Sequence, residues 1–219
     1  MKFEQPTTTD VGIKEKILAS AIEVFSSQGR QGARMEHIAQ LAGVNKALVY
    51  YHFHNRDDLY KAAFKQQFVE LLSEVLTELE KQPYKGDDAT TALKLFVRAH
   101  FRAVSKHKRC VRMFIGGTAD DPELARNIVR EITMGQLPPL AKNLIKVIEN
   151  GVESGKFRPV NPKHLIVSIM SLNLFFFVAR PIAETMLDLQ IEDEELYLEE
   201  RLTSILDLLL YGVVERRTE

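Results

Sequence analysis

Between Met35 and Phe53 the chain reads MEHIAQLAGVNKALVYYHF, and its second half gathers Lys46, Tyr50, Tyr51 and His52 within seven residues. One cation, two phenols and an imidazole can hold an anionic, hydrogen-bonding partner, whereas bond breaking would need a nucleophile with a base beside it. Gly43-Val44-Asn45 splits the stretch into two segments of about two helical turns each, the spacing of a helix-turn-helix. Gly43 can take the left-handed conformation that ends the first helix, and Ala39 is small enough for the second to pack across it. Counted from Lys46 at about 100° per residue, Val49 and Phe53 share one face and would hold the second helix down. Ala47, Leu48, Tyr51 and His52 spread over the opposite face. A helix about 10 Å thick with such an outward face fits the major groove of B-form DNA. The same spacing also describes a short surface hairpin of helices with no special role.

No other constellation competes with this one. His100, His107 and Cys110 have metal-ligand chemistry, but gaps of seven and three residues match no familiar zinc spacing, so no metal site is expected. No G-x-S-x-G, phosphate-binding or dinucleotide glycine pattern is present, and Gly116-Gly117 stands alone, so neither an enzyme nor a cofactor is expected. Between Asp88 and Asp120 there is no acid, and Lys94, Arg98, Arg102 and Lys106 recur every fourth residue, stacking along one helical face ahead of Lys108, Arg109 and Arg112. Two readings stay open for that row: pairing with acids on other helices, or attraction of an anionic ligand or of DNA.

The chain has 219 residues, 45% hydrophobic and 27% charged, which argues against disorder and predicts one large domain or two modest ones. A net charge of −1 means that any nucleic-acid contact comes from a local patch and not from a basic bulk. A single cysteine excludes an intramolecular disulfide framework and fits a reducing, cytoplasmic setting. Met1 to Asp10 lacks the apolar core of a secretory signal. The apolar run Leu165 to Ala179 falls short of the roughly 20 residues of a membrane span, so it reads as a buried helix and no membrane partner is expected.

The elements around the motif have helical periodicity throughout, and the chain reads as all-α. A first helix covers Ile13 to Ser27, with Gly29 and Gly32 as its stop. A long helix starts near Arg56 behind Asn55 as N-cap and runs to Gln82, ahead of Pro83. Further helices are expected over Asp88–Ser105, Pro122–Met134, Leu137–Ser154, Pro162–Leu187 and Asp193–Arg216, with Gly116-Gly117 as one of the breaks. The last two helices are the most apolar, and a lone chain would leave part of them exposed, which dimerisation would cover.

The block from Ile13 through Leu59, above all IAQLAG followed by GVNKALVYYHFHNRDDL, resembles the DNA-binding domain of the TetR/AcrR-type transcriptional repressors. That resemblance implies a three-helix helix-turn-helix domain over residues 1–55, then a C-terminal helical bundle over 56–219 for ligand binding and dimerisation. It implies a homodimer on double-stranded operator DNA, with release by a small-molecule effector. By position, Lys46, Ala47, Leu48, Tyr50, Tyr51 and His52 would meet phosphates and base edges, and Arg56 a phosphate. Two positions depart from the family. Arg34 stands where Thr or Ser is common, losing a hydroxyl cap but adding a cation, and Ala47-Leu48 stands where Gly-Thr is common. For the effector, Phe68, His100, Phe101, Met113, Phe114, Met170 and Phe176 are the expected lining, and they predict a lipophilic molecule, with the cationic row adding an anionic head. A structural DNA-binding protein without an effector is the alternative.

Overall fold

The computed structural model describes residues 8–81, 88–135 and 138–213. Met1 to Thr7, Pro83, Leu137 and Arg216, which bear on expectations above, lie outside them. Among the described residues there are ten helices and no strand. They are α1 (Thr8–Gly32), α2 (Met35–Ala42), α3 (Lys46–His52), α4 (Arg56–Lys81), α5 (Ala89–Lys106), α6 (Lys108–Asp120), α7 (Pro122–Gly135), α8 (Pro138–Glu153), α9 (Pro162–Met186) and α10 (Glu194–Val213). The chain divides into two compact units, Met1–Glu70 with Arg109–Thr133, and Leu71–Lys108 with Met134–Glu219.

In the first unit α1 packs on α2 and α2 on α3 around Ile17, Phe25, Ile38, Val49 and Leu59. Helix α1 runs past Ser27 because the chain kinks without unravelling: Gly29 alone leaves helical geometry, at φ 71° and ψ 173°. Helix α4 starts as expected behind Asn55, whose Oδ1 accepts from Asp58 N–H at 2.8 Å while its Nδ2 donates to Asp58 Oδ2 at 2.8 Å.

Helix α6 corrects the expected break at Gly116-Gly117, for both glycines lie inside it. Gly117 is there for close approach: a Cβ would sit 2.4 Å from the Tyr60 hydroxyl. That hydroxyl donates to the Met113 carbonyl at 2.8 Å, and Tyr60 also meets Phe25 edge-on at 5.1 Å. Burial pushes the Tyr60 phenol up to about 12.

In the second unit α5 packs against α8, α9 and α10, with Leu93, Val97, Ile148, Ile169 and Ile205 in the core. Helix α9 begins at an Asn161 cap with Pro162 in its first turn. It corrects the reading of Leu165 to Ala179 as a buried run. Leu165, Ile169, Asn173 and Phe176 are buried, but Val167, Met170, Phe175 and Val178 are exposed, Phe175 by 68%. By length and composition alone α9 could cross a membrane, though just 22% of its most apolar window is buried within the chain. An apolar stripe of α9 is left exposed, as are Leu208 and Tyr211 near the end of α10.

Candidate nucleic-acid interface

The candidate interface is built by three local devices. Gly43 ends α2 at φ 67°, ψ 31°, and the Val44 N–H closes back on the Ala39 carbonyl at 3.0 Å. Asn45 then caps α3, its Oδ1 accepting from the Leu48 N–H at 2.8 Å. Val49 and Phe53 are buried and pin α3 down, as the periodicity predicts, with Phe53 in extended conformation just past the helix end.

Lys46, Ala47, Tyr50 and Tyr51 are exposed, Tyr51 by 70%. Leu48 and His52 are half-buried instead of fully outward. The helical wheel explains the difference, since both lie about 60 to 100° from Val49 and flank the buried edge. Tyr51 meets the His52 ring edge-on at 5.2 Å, and the Lys46 ammonium lies 5.7 Å from the Tyr50 ring centre. The outward face thus offers one cation and two phenols on a rigidly held helix.

Two charges condition that face. Glu36 in the first turn of α2 pairs with Lys46, and the hydrogen bond between them holds the carboxyl below, and the ammonium above, its ordinary range. A phosphate reaching Lys46 therefore competes with Glu36. Arg34 occupies the N-cap of α2 in extended conformation, exposed and making no capping bond with its side chain. Arg56 already has a protein partner, its guanidinium donating to Gln31 O at 3.4 Å and Gln31 Oε1 at 3.3 Å.

The expected effector lining divides between the units. Phe68, Met113 and Phe114 belong to the first, where Phe64 meets both phenylalanine rings at 5.8 and 6.2 Å. His100, Phe101, Met170 and Phe176 belong to the second. Phe101 and Phe176 are buried, and Phe177 meets their rings at 5.4 and 5.2 Å, but Met170 lies on the exposed face of α9. His100 stacks on Phe96 at 5.9 Å, and burial lowers its imidazole to about 4. Asn173, fully buried and missed by sequence reasoning, fixes its tautomer. The Asn173 amide NH2 donates to the Val97 carbonyl at 3.1 Å, so the His100 Nδ1 atom, 3.0 Å away, must accept, leaving the ring proton on Nε2. Asn173 Oδ1 has no hydrogen-bond partner among the described residues.

Among the described residues, three of the seven cations in the row are matched by acids. Arg102 pairs with Glu199 at 3.2 Å, Lys106 with Glu74, and Lys108 with Glu194 at 2.7 Å. Cys110 is buried, and burial pushes its thiol up to about 12. Among the described residues no three His, Cys, Asp or Glu side chains are grouped to hold a metal ion.

Comparison with known proteins places these observations. Residues 17–63 match the model of the bacterial regulatory proteins of the tetR family, and residues 90–209, more than half of the chain, match that of the tetracyclin repressor-like C-terminal domain. The HTH-type transcriptional regulator RutR of Escherichia coli is 28% identical over 204 residues, 93% of this chain and 91% of its own. The negative transcriptional regulator IcaR of the Staphylococcus aureus biofilm operon is 27% identical over 146 residues, 67% of this chain and 73% of its own. Among solved structures, the regulator PfmR of Thermus thermophilus superposes with a TM-score of 0.65 at 22% identity, covering 91% of this chain and 99% of that one. The ketosteroid transcriptional regulator of Mycobacterium tuberculosis superposes with 0.66 at 17% identity, covering 93% and 95%. With a buried-seam helix-turn-helix at one end and the family's C-terminal domain over most of the rest, the chain belongs to the TetR family of DNA-binding transcriptional regulators.

Proposed function

We propose that the protein is a cytoplasmic repressor whose homodimer binds an inverted-repeat operator through α3 and lets go when a small lipophilic effector binds. Residues 1–55 form the DNA-binding domain and residues 56–219 the effector and dimerisation domain. The carrying observation is the exposed Lys46, Tyr50 and Tyr51 on a helix capped by Asn45 and seated on Val49 and Phe53. Lys46, Arg34 and Arg56 take phosphates, and Tyr50, Tyr51 and His52, with Ala47 and Leu48 as apolar contacts, read base edges. No step in this cycle is catalytic. IcaR, named a negative regulator, supports repression as the direction of control.

The exposed stripe of α9 with Leu208 and Tyr211 of α10 is the surface a second copy covers, because an apolar stripe of this extent seldom stays in water. The aromatic side chains assign the effector as a lipophilic molecule, and with Arg102, Lys106 and Lys108 matched by acids, an anionic head on it would fall to the rest of the cationic row. Within the second unit Phe101 and Phe176 supply apolar contact, and His100 with Asn173 meets a polar group on it.

Selection of bound duplexes from a random pool tests this reading. An inverted repeat with half-sites about 34 Å apart is expected. No enrichment, or enrichment of unrepeated sites, would refute it. Release of the selected duplex by lipophilic and not by hydrophilic compounds is the second expected result.

A further inference from the structure

Arg30 is 9% exposed, yet its guanidinium reaches two carboxylates on different elements, Asp57 Oδ1 at 3.3 Å and Asp121 Oδ2 at 3.4 Å. Asp57 lies in the first turn of α4 and Asp121 between α6 and α7, where its other oxygen caps α7 by accepting from Leu124 N–H at 3.0 Å. The neighbouring residues repeat the bond in reverse: Arg56 of α4 donates to the main chain and side chain of Gln31. Residues 30 and 31 are thus tied to residues 56 and 57 by two arginines pointing in opposite directions. The kink at Gly29 aims Arg30 into this position, four residues ahead of the Arg34 cap of α2.

We infer that Arg30 is a positioning residue for DNA recognition: its two-acid clamp, with the reciprocal Arg56–Gln31 contact, sets the chain entering the helix-turn-helix against α4 and the α6–α7 junction. Stability does not account for the arrangement. Burying a guanidinium costs several kcal/mol before any pairing, and its gain over an apolar side chain of like volume is small or negative. Nε of Arg30 also lacks a hydrogen-bond partner among the described residues. A geometrical device fits better, since base readout tolerates errors of about 0.5 Å and 10 to 20° in the reading helix. The inference rests on α3 being the recognition helix.

The test compares wild type with Arg30→Met, Arg30→Lys and Asp121→Asn on the selected operator duplex and on an unrelated duplex, with melting temperatures for each. Asp57 and Asp121 have side chains 52% and 36% exposed, so they turn to water when the arginine is gone, and Arg30→Met should melt within about 2 °C of wild type. Its operator affinity should fall about tenfold, with less than about threefold change on the unrelated duplex. Arg30→Lys, which can reach one acid but not both in fixed geometry, should recover part of the loss. Asp121→Asn should weaken operator binding less than Arg30→Met, and combined with it add nothing further. Full operator affinity in Arg30→Met, or melting temperature and both affinities falling together, would overturn the inference while leaving the recognition helix in place. Wild type that selects no duplex would instead refute the function on which it rests.

Discussion

Tyr60 of α4 holds the Met113 carbonyl of α6 across 53 positions of sequence, at 2.8 Å and buried. Through this bond and the Arg30–Asp121 pair, residues 109–133 are part of the same compact unit as the helix-turn-helix. A helix that sequence order would assign to the C-terminal domain thereby packs with the DNA-binding elements.

This contact should be sensitive to one methyl group. Gly117→Ala gains at most about 1 kcal/mol of helix propensity, but a Cβ 2.4 Å from the Tyr60 oxygen forces the ring aside. Overpacking of that kind costs about 1 to 3 kcal/mol, so denaturant titration should show net destabilisation. Combining it with Tyr60→Phe, which removes the clashing oxygen, should restore part of the loss.

The Glu36–Lys46 pair should hold back DNA binding generally. Glu36→Gln frees Lys46 and removes a carboxylate from the surface that faces phosphates. Affinity for operator and unrelated DNA alike should rise a few-fold. Lys46→Ala should lower both and flatten the dependence of log affinity on log salt by about one unit. Titrations at three salt concentrations check the pair of variants.

Acid should act through His100. Its imidazole titrates near 6.5 when unfolded and near 4 when folded, so the neutral folded form is favoured and its stabilisation is complete above about pH 6.5. As pH falls from there toward 4, the unfolded chain takes up the extra proton, and stability drops by up to about 1.4 kcal/mol per pH unit. Unfolding of His100→Gln across that window should show one proton less of dependence. An unchanged slope would mean that the ring is solvated.

Assembly should depend on the α9 stripe. Phe175→Glu places a charge in the middle of the exposed apolar face, leaves the buried residues Ile169, Asn173 and Phe176 untouched, and should give monomers in light scattering at micromolar concentration.

Much of this was legible in the sequence where local rules suffice. The Gly43 turn, the Asn55 cap and the Val49–Phe53 seam depend on neighbours within four residues, and residue type and periodicity find them, while the Asn45 cap emerges from the structure. What escaped depends on distant partners. Gly116-Gly117 reads as a helix break until Tyr60, far away in sequence, is seen to need the space. Arg30 stands among glycines like any turn residue, with its acids 27 and 91 positions on. The large side chains expected to line a single site share a character and not a location, and composition does not distinguish Phe176 in the core from Met170 on the surface. For the cationic row, spacing left both pairing and anion attraction open, and the acids of α4 and α10 settle Arg102, Lys106 and Lys108 as paired.

Recognition of DNA through the outward face of α3 is tested most directly by fluorescence anisotropy of the selected operator duplex titrated with wild type and with Tyr51→Ala. Tyr51 is 70% exposed and its ring contact is with His52 of the same helix, so its loss should be felt at the DNA. Operator binding should weaken by about 1 to 3 kcal/mol while binding to an unrelated duplex stays within about twofold. Equal operator affinity for the two proteins would contradict the assignment of α3 as the recognition helix.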